Sequence, residues 1–229
     1  MKQYFYIVVF ILTMLRCTAA SAIPDTALFI GNGYNLLTGN LDGDFWLRGG
    51  DDPGLLLGRS ILPVSRDNIQ DEISYLSHMS CHQAHSVVLI HGPKAYQEKL
   101  LRYVHLTGTE IQNLKEAAFS LSSGYQVIKR QTERHHYVYQ DLETRCMLGK
   151  AVHRINLGPS QSLVVTKHFA AAMCALPQVY DVTKYMSFLD TWGTHVVTEI
   201  ELGWQETYRY GLRLKDYILK HGLIYVSKM

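Results

Sequence analysis

Across residues 185–204, YMSFLDTWGTHVVTEIELGW, the apolar spacing changes from helical to strand-like at a single glycine. Val182, Tyr185, Phe188, Leu189 and Trp192 recur at three- and four-residue steps, which is the stripe of an amphipathic helix, and Asp181 or Thr183 can cap its start. Beyond Gly193 the period is two. Thr194, Val196, Thr198, Ile200 and Leu202 share one face, and His195, Val197, Glu199 and Glu201 share the other. A helix and a strand joined with no spare residues must pack back on each other, so the chain is committed to helices against a sheet. Gly193 is placed to end the helix in a left-handed conformation. His195, at the start of the strand, reads as structural, with its ring bonding nearby backbone or a carboxylate.

The rest of the chain supplies partners for that corner. Residues 23–66 are dense in Gly, Asn, Asp and Pro and read as successive turns with short strands at most. Residues 84–92 and 95–107 read as strands, the second alternating Tyr96, Glu98 and Leu100 with Gln97, Lys99 and Leu101. Residues 137–157 alternate over a length that suits one long strand bent at Gly149. A helix follows, with Val165, Phe169, Ala172, Met173 and Leu176 at helical spacing, Ser160 or Ser162 as its cap and Pro177 beyond its end.

Residues 1–22 combine Lys2, an apolar run and Ala20-Ser21-Ala22, the pattern of a cleaved secretory signal; Arg16 and Cys17 break the run short of the roughly 20 apolar residues a spanning helix needs. The leader holds Lys2 and Arg16 of the 22 basic residues and none of the 20 acidic ones, so the remainder is formally neutral. That balance argues against polyanion binding, for which a basic stripe is expected, and no nucleic-acid partner is expected. Of the cysteines left, Cys81, Cys146 and Cys174, secretion favours one disulfide and one odd thiol, and the sequence does not choose the pair.

Motifs for chemistry are sparse. GNGYNLLTGN fits neither common phosphate-loop pattern, and no nucleophile-elbow, zincin or paired-carboxylate motif occurs. His78, Cys81, His82 and His85 have metal-like spacing without a second cluster, and a disulfide is the stronger expectation for Cys81. The expectation is no enzyme, no cofactor and no metal. His135 and His136 read as a strand edge.

Tyr185, six residues, then Trp192-Gly193-Thr194-His195 resembles the signature of the membrane-attack-complex/perforin family, with Trp192 and Val196 where that family uses Phe or Tyr. Gly31-Asn32-Gly33-Tyr34-Asn35, Gly39-Asn40 and Asp52-Pro53-Gly54 are similar to the family's opening segment, and Phe119 to Tyr125 resembles the approach to its second core strand. Gly203 keeps the first of two glycines usual after the signature, and Trp204 replaces the second. The resemblance spans residues 26–204. It implies an α+β fold: a bent, mainly antiparallel sheet of long strands flanked by helical clusters that refold into membrane hairpins when subunits form a ring. The implied partners are a lipid membrane and further copies of the chain. The leader gives a secreted localisation and the resemblance a target membrane; residues 23–204 form an incomplete domain and residues 205–229 an atypical, basic and aromatic tail that suits a truncated end or an interfacial helix, and a chain truncated there, with one hairpin, is expected to be inactive by itself.

The segment for conversion is residues 110–134. Ile111, Leu114, Ala118, Leu121, Tyr125 and Ile128 form a helical stripe, whereas with period two Phe119, Leu121, Tyr125 and Val127 share a face. A spanning strand needs about 9–11 residues, and the segment with its flanks supplies two. The competing expectation is a secreted binding module that keeps the scaffold without perforating anything.

Overall fold

The computed structural model describes residues 23, 25–41, 59–106, 112–154 and 164–226. The leader, Asp52-Pro53-Gly54, Ile111 and the cap candidates Ser160 and Ser162 lie outside the described residues. A 3-10 turn at Asp25–Phe29 precedes a two-residue strand β1, Gly33–Tyr34. A short helix α1, Ile69–Glu72, runs directly into β2, Ile73–Ile90. Helices α2 (Pro93–Leu101), α3 (Gln112–Glu116) and α4 (Ser123–His135) then form a cluster before β3, Tyr137–His153. Helices α5 (Lys167–Cys174) and α6 (Val182–Trp192) lead through β4, His195–Val196, into β5, Glu199–Arg213, and α7 follows at Leu214–Val226.

Three long strands pair antiparallel in the order β2-β3-β5, and β1 pairs antiparallel with β4. This is the mixed helix and antiparallel-sheet class expected from the sequence. In the β2–β3 ladder the register runs from Ile73 opposite His153 to Ile90 opposite Tyr139; in β3–β5 it runs from Tyr137 opposite Arg213 to Val152 opposite Glu199. Both ladders shift register beside Gly149, between Ser77 and Ser80 on β2 and between Met147 and Gly149 on β3. Bulges of this kind bend a strand, and this pair falls at the expected glycine, while the β2–β3 ladder shifts again between His82 and Ser86. Cys81 and Cys146 face each other across the first ladder and form a disulfide, which leaves Cys174 as a free, exposed thiol.

Three expectations need correction. Residues 95–107 do not form a strand. Pro93 opens a helix at its first position, and Tyr96, Lys99 and Leu100 are its buried residues, a helical rather than a two-residue spacing. Residues 110–134 are not one helix, because a turn at 117–121 divides α3 from α4. Strand β5 runs through residue 204 to Arg213, paired with β3 along its length, before α7 begins. The strand after the signature is also interrupted, with β4 ending at Val196 and β5 starting at Glu199.

Candidate functional site: signature corner and helical cluster

The corner holds the N-terminal segment to the sheet. Asp181 caps α6 by accepting bonds from Thr183 N and Lys184 N, and Trp192 at the other end is buried among Ile61, Leu62, Phe169 and Phe188. Trp192 fills the aromatic position with an edge-on contact to Phe169, ring centroids 5.2 Å apart. Gly193 takes φ 82° as expected, but its ψ of 176° is extended, which sends the chain straight into β4 instead of through a left-handed cap. A Cβ there would lie 2.6 Å from Tyr34 N, and one on Gly33 would lie 1.7 Å from Trp192 O, so the two glycines let the backbones touch. Thr194 then fastens the contact. Its N–H and hydroxyl both donate to Tyr34 O, and the hydroxyl oxygen accepts from Leu36 N at 2.9 Å. His195 Nδ1 sits 2.8 Å from that hydroxyl, a side-chain contact where backbone or a carboxylate was expected. Tyr185 donates its hydroxyl to Pro177 O at 3.1 Å, tying α6 to the turn before it. Gly203 lies opposite Met147, beside the bulge at Leu148, and Trp204 opposite Cys146 is half exposed, so the unusual Trp faces solvent without breaking the ladder.

The cluster α2–α4 packs on the sheet through Tyr34, Leu36, Val88, Ile90, Tyr96, Leu100, Ala118, Phe119 and Ile128. Ser122 caps α4 by accepting from Tyr125 N, and His136 closes it in the left-handed region at φ 53°. The dividing turn is anchored to the N-terminal segment, with Phe119 N donating to Leu36 O and Leu121 N to Leu37 O. Phe119 itself is wholly buried at φ 60°, a conformation that costs a bulky L-residue about 1–3 kcal/mol and therefore persists only where its surroundings enforce it.

Sequence reasoning missed the polar anchor of this cluster. Lys99 on α2, with no exposed surface, reaches Asp141 at 2.8 Å and Glu143 at 2.9 Å on β3. Arg209 on β5 clasps the same Asp141 through Nε and a terminal nitrogen, both at 2.5 Å. Tyr103 donates to Glu143, Arg145 lies over the Tyr103 ring at 4.2 Å, and Arg209 lies over Tyr96 at 5.4 Å. Burial pushes the Tyr139 phenol up, opposed by Arg209 beside it. Alternating Asp141, Glu143 and Arg145 on one face of β3 was the available signal: a strand face of charges in a chain with a sizeable core calls for buried counter-charges.

Of the residues expected to enter a membrane, Ala118, Phe119 and Ile128 are buried, Leu114 and Tyr125 pack against that core, Val127 is half-buried and Leu121 is exposed. All but the exposed Leu121 lie on the inward side of one cluster. Among the described residues no helix is long and apolar enough to cross a membrane. Cys81, spent in the disulfide, is withdrawn from the His78, His82 and His85 pattern, and of His82 and His85 only the backbone is described. At the far end of the sheet, burial lowers the affinity of His153 for a proton, and Glu72 at 3.9 Å opposes this without overcoming it. The pair is therefore a close approach and not an ion pair at neutral pH, because desolvation outweighs a carboxylate that distant.

The MAC/Perforin domain matches residues 24–217, most of the chain, and the chain belongs to that family. The match runs past the corner and through β5. A protein from Bacteroides thetaiotaomicron described as a cell-invasion protein with a MAC/Perforin domain is similar at 14% identity and a TM-score of 0.53, over 84% of this chain and 38% of that one. GNIP1Aa from Chromobacterium piscinae is similar at 14% identity and a TM-score of 0.45, over 80% of this chain and 32% of that one. The chain thus spans well under half the length of these two structures. No curated protein matches.

Proposed function

We propose that this chain is a secreted, membrane-perforating protein that acts as an oligomer, with α2–α4 extending β2 and β3 into a hairpin. The observation that carries this reading is topological. Ile90 ends β2 opposite Tyr139, and Tyr137 begins β3 opposite Arg213, after which α7 starts; the cluster and α7 therefore leave the sheet at one end. Drawn out, the roughly 45 residues between Ile90 and Tyr137 give each arm about twice the 9–11 residues a spanning strand needs. Backbone groups must be satisfied inside lipid, so hairpins insert only when neighbours close their edges, which makes a ring of copies part of the proposal. Family membership supports membranes and self-assembly as the setting. The Cys81–Cys146 disulfide supports an oxidising compartment, in keeping with the leader. Nothing in this mechanism requires catalysis.

Dye release from liposomes tests the proposal, scored together with ring assembly. The Asn40 and Ser123 side chains touch at 3.4 Å, so a reducible cross-link in Asn40→Cys/Ser123→Cys, made in a Cys174→Ser background, holds α4 to the N-terminal segment. The oxidised variant is expected to bind liposomes without leakage and to leak once reduced, while a control without the new pair is indifferent to the same reductant. Full leakage from the locked form would refute the proposal. Rings of the unlocked protein that never leak would assign the scaffold to binding instead.

A further inference from the structure

An open cavity of about 500 Å³ lies where α4, β3 and β5 meet, lined by Gln131, Arg134, His135, His136, Tyr137 and Arg213. Two of the six are guanidinium groups, two are imidazoles, and none is a carboxylate. Among the described residues the side chains of Arg134, His135, His136 and Arg213 have no hydrogen-bond or ion-pair partner. The contrast with the neighbouring cations is sharp, since Lys99 and Arg209 each have a carboxylate within 3 Å. Cations in the last turn of a helix offset the partial negative charge of its carbonyl end, which accounts for Arg134 and His135. It does not account for His136, which lies beyond the helix, or for Arg213, which arrives on β5 opposite Tyr137.

The backbone fixes this convergence. His136 turns the chain from α4 into β3, and its carbonyl accepts from Leu214 N at 2.7 Å, so the end of the cluster, the start of one strand and the end of another are joined at one point. Guanidinium forks match the oxygens of a phosphate two at a time, and imidazoles and the Gln131 amide add single donors. We propose that this cavity binds a phosphate-bearing anion, gripped between Arg134 of α4 and Arg213 of β5. A bound anion then bridges the helical cluster to the sheet, at the point where α4 passes into β3. A lipid headgroup and a soluble phosphate present the same chemistry here. Binding does not depend on pore formation and stands or falls separately from it.

The test is a titration of the full chain with inorganic phosphate, against chloride at equal ionic strength, following the imidazole NMR signals of His135 and His136 assigned with His135→Asn and His136→Asn. A saturable shift of both signals is expected. Affinity should fall about tenfold for each arginine removed in Arg134→Gln and Arg213→Gln, and part of it should return with Lys at either position. If the double variant fails to fold, the single ones carry the comparison, with their melting temperatures in phosphate-free buffer as the control. Flotation with phosphatidylcholine vesicles, with and without phosphatidic acid, separates the sources. Flotation lost in the arginine variants assigns a headgroup, and a phosphate shift without flotation assigns a soluble anion. Phosphate that leaves both imidazoles unmoved, or moves them equally in the arginine variants, overturns the proposal.

Discussion

At the residue scale, the molecule depends on a few positions where side chain and backbone exchange places. Thr194 spends its hydroxyl on Tyr34 O and Leu36 N, and Gly193 gives up a side chain so that Tyr34 can approach. Gly193→Ala meets both a steric overlap and an unfavourable φ, and we expect a loss of about 2–4 kcal/mol in denaturant unfolding. Thr194→Val keeps the shape but not the bonds and should lose about 1–2 kcal/mol. Lys99 is the opposite case, a charge whose desolvation is offset only by its partners. Lys99→Met should therefore destabilise by about 3–5 kcal/mol, and the double variant Lys99→Met/Asp141→Asn by less than the sum of the single changes, measured as a double-mutant cycle. His153 supplies the pH dependence. Its folded pKa lies below the ordinary 6.5, so the unfolded chain binds the proton more readily and stability falls as pH drops below about 6.5. Melting temperatures at pH 7 and pH 5 should differ less in His153→Gln than in the unaltered protein.

At the scale of elements, the turn at 117–121 is the weak joint of the cluster, held by two backbone bonds to Leu36 and Leu37 and by a strained, buried Phe119. Phe119→Ala removes the ring that keeps the strain in place. We expect about 3–5 kcal/mol lost from the cluster, visible as faster amide exchange across α3 and α4 with β3 still protected. The elements legible in the sequence were those whose period and punctuation agree: α6 between Asp181 and Gly193, and β3 with its irregularity at Gly149. Helix α2 was hidden because Lys99, which points inward, looks like a solvent residue and so supports a false alternation; Pro93, at the first helical position, is the signal that marks its start. The end of β5 was hidden for a related reason. Its polarity is inverted, with Arg209 turned in to Asp141 and Tyr208 and Tyr210 turned out, so a strand passed for a basic tail. Charges that satisfy one another across three elements leave no mark on any one of them.

At the scale of the whole molecule, the antiparallel β2-β3-β5 order places α2, α3 and α4 in the connection from β2 to β3, α5 and α6 in the connection before the corner, and α7 after β5. Two surfaces then do different work: the corner keeps the N-terminal segment on the sheet, and the junction of α4, β3 and β5 ties the end of the cluster to two strand ends. Variants at Thr194 should lower overall stability, whereas variants at Lys99 should loosen the cluster first, a separation that exchange measurements resolve element by element. The Cys81–Cys146 bond sits midway along the β2–β3 ladder, away from both. A covalent rivet at that point forbids the two strands to slide, and a slip of even one position would turn every side chain to the opposite face. Were the proposed hairpin to form, it would grow from a template whose alignment is set in advance, and each arm would inherit its inside and outside from two cysteines it never touches.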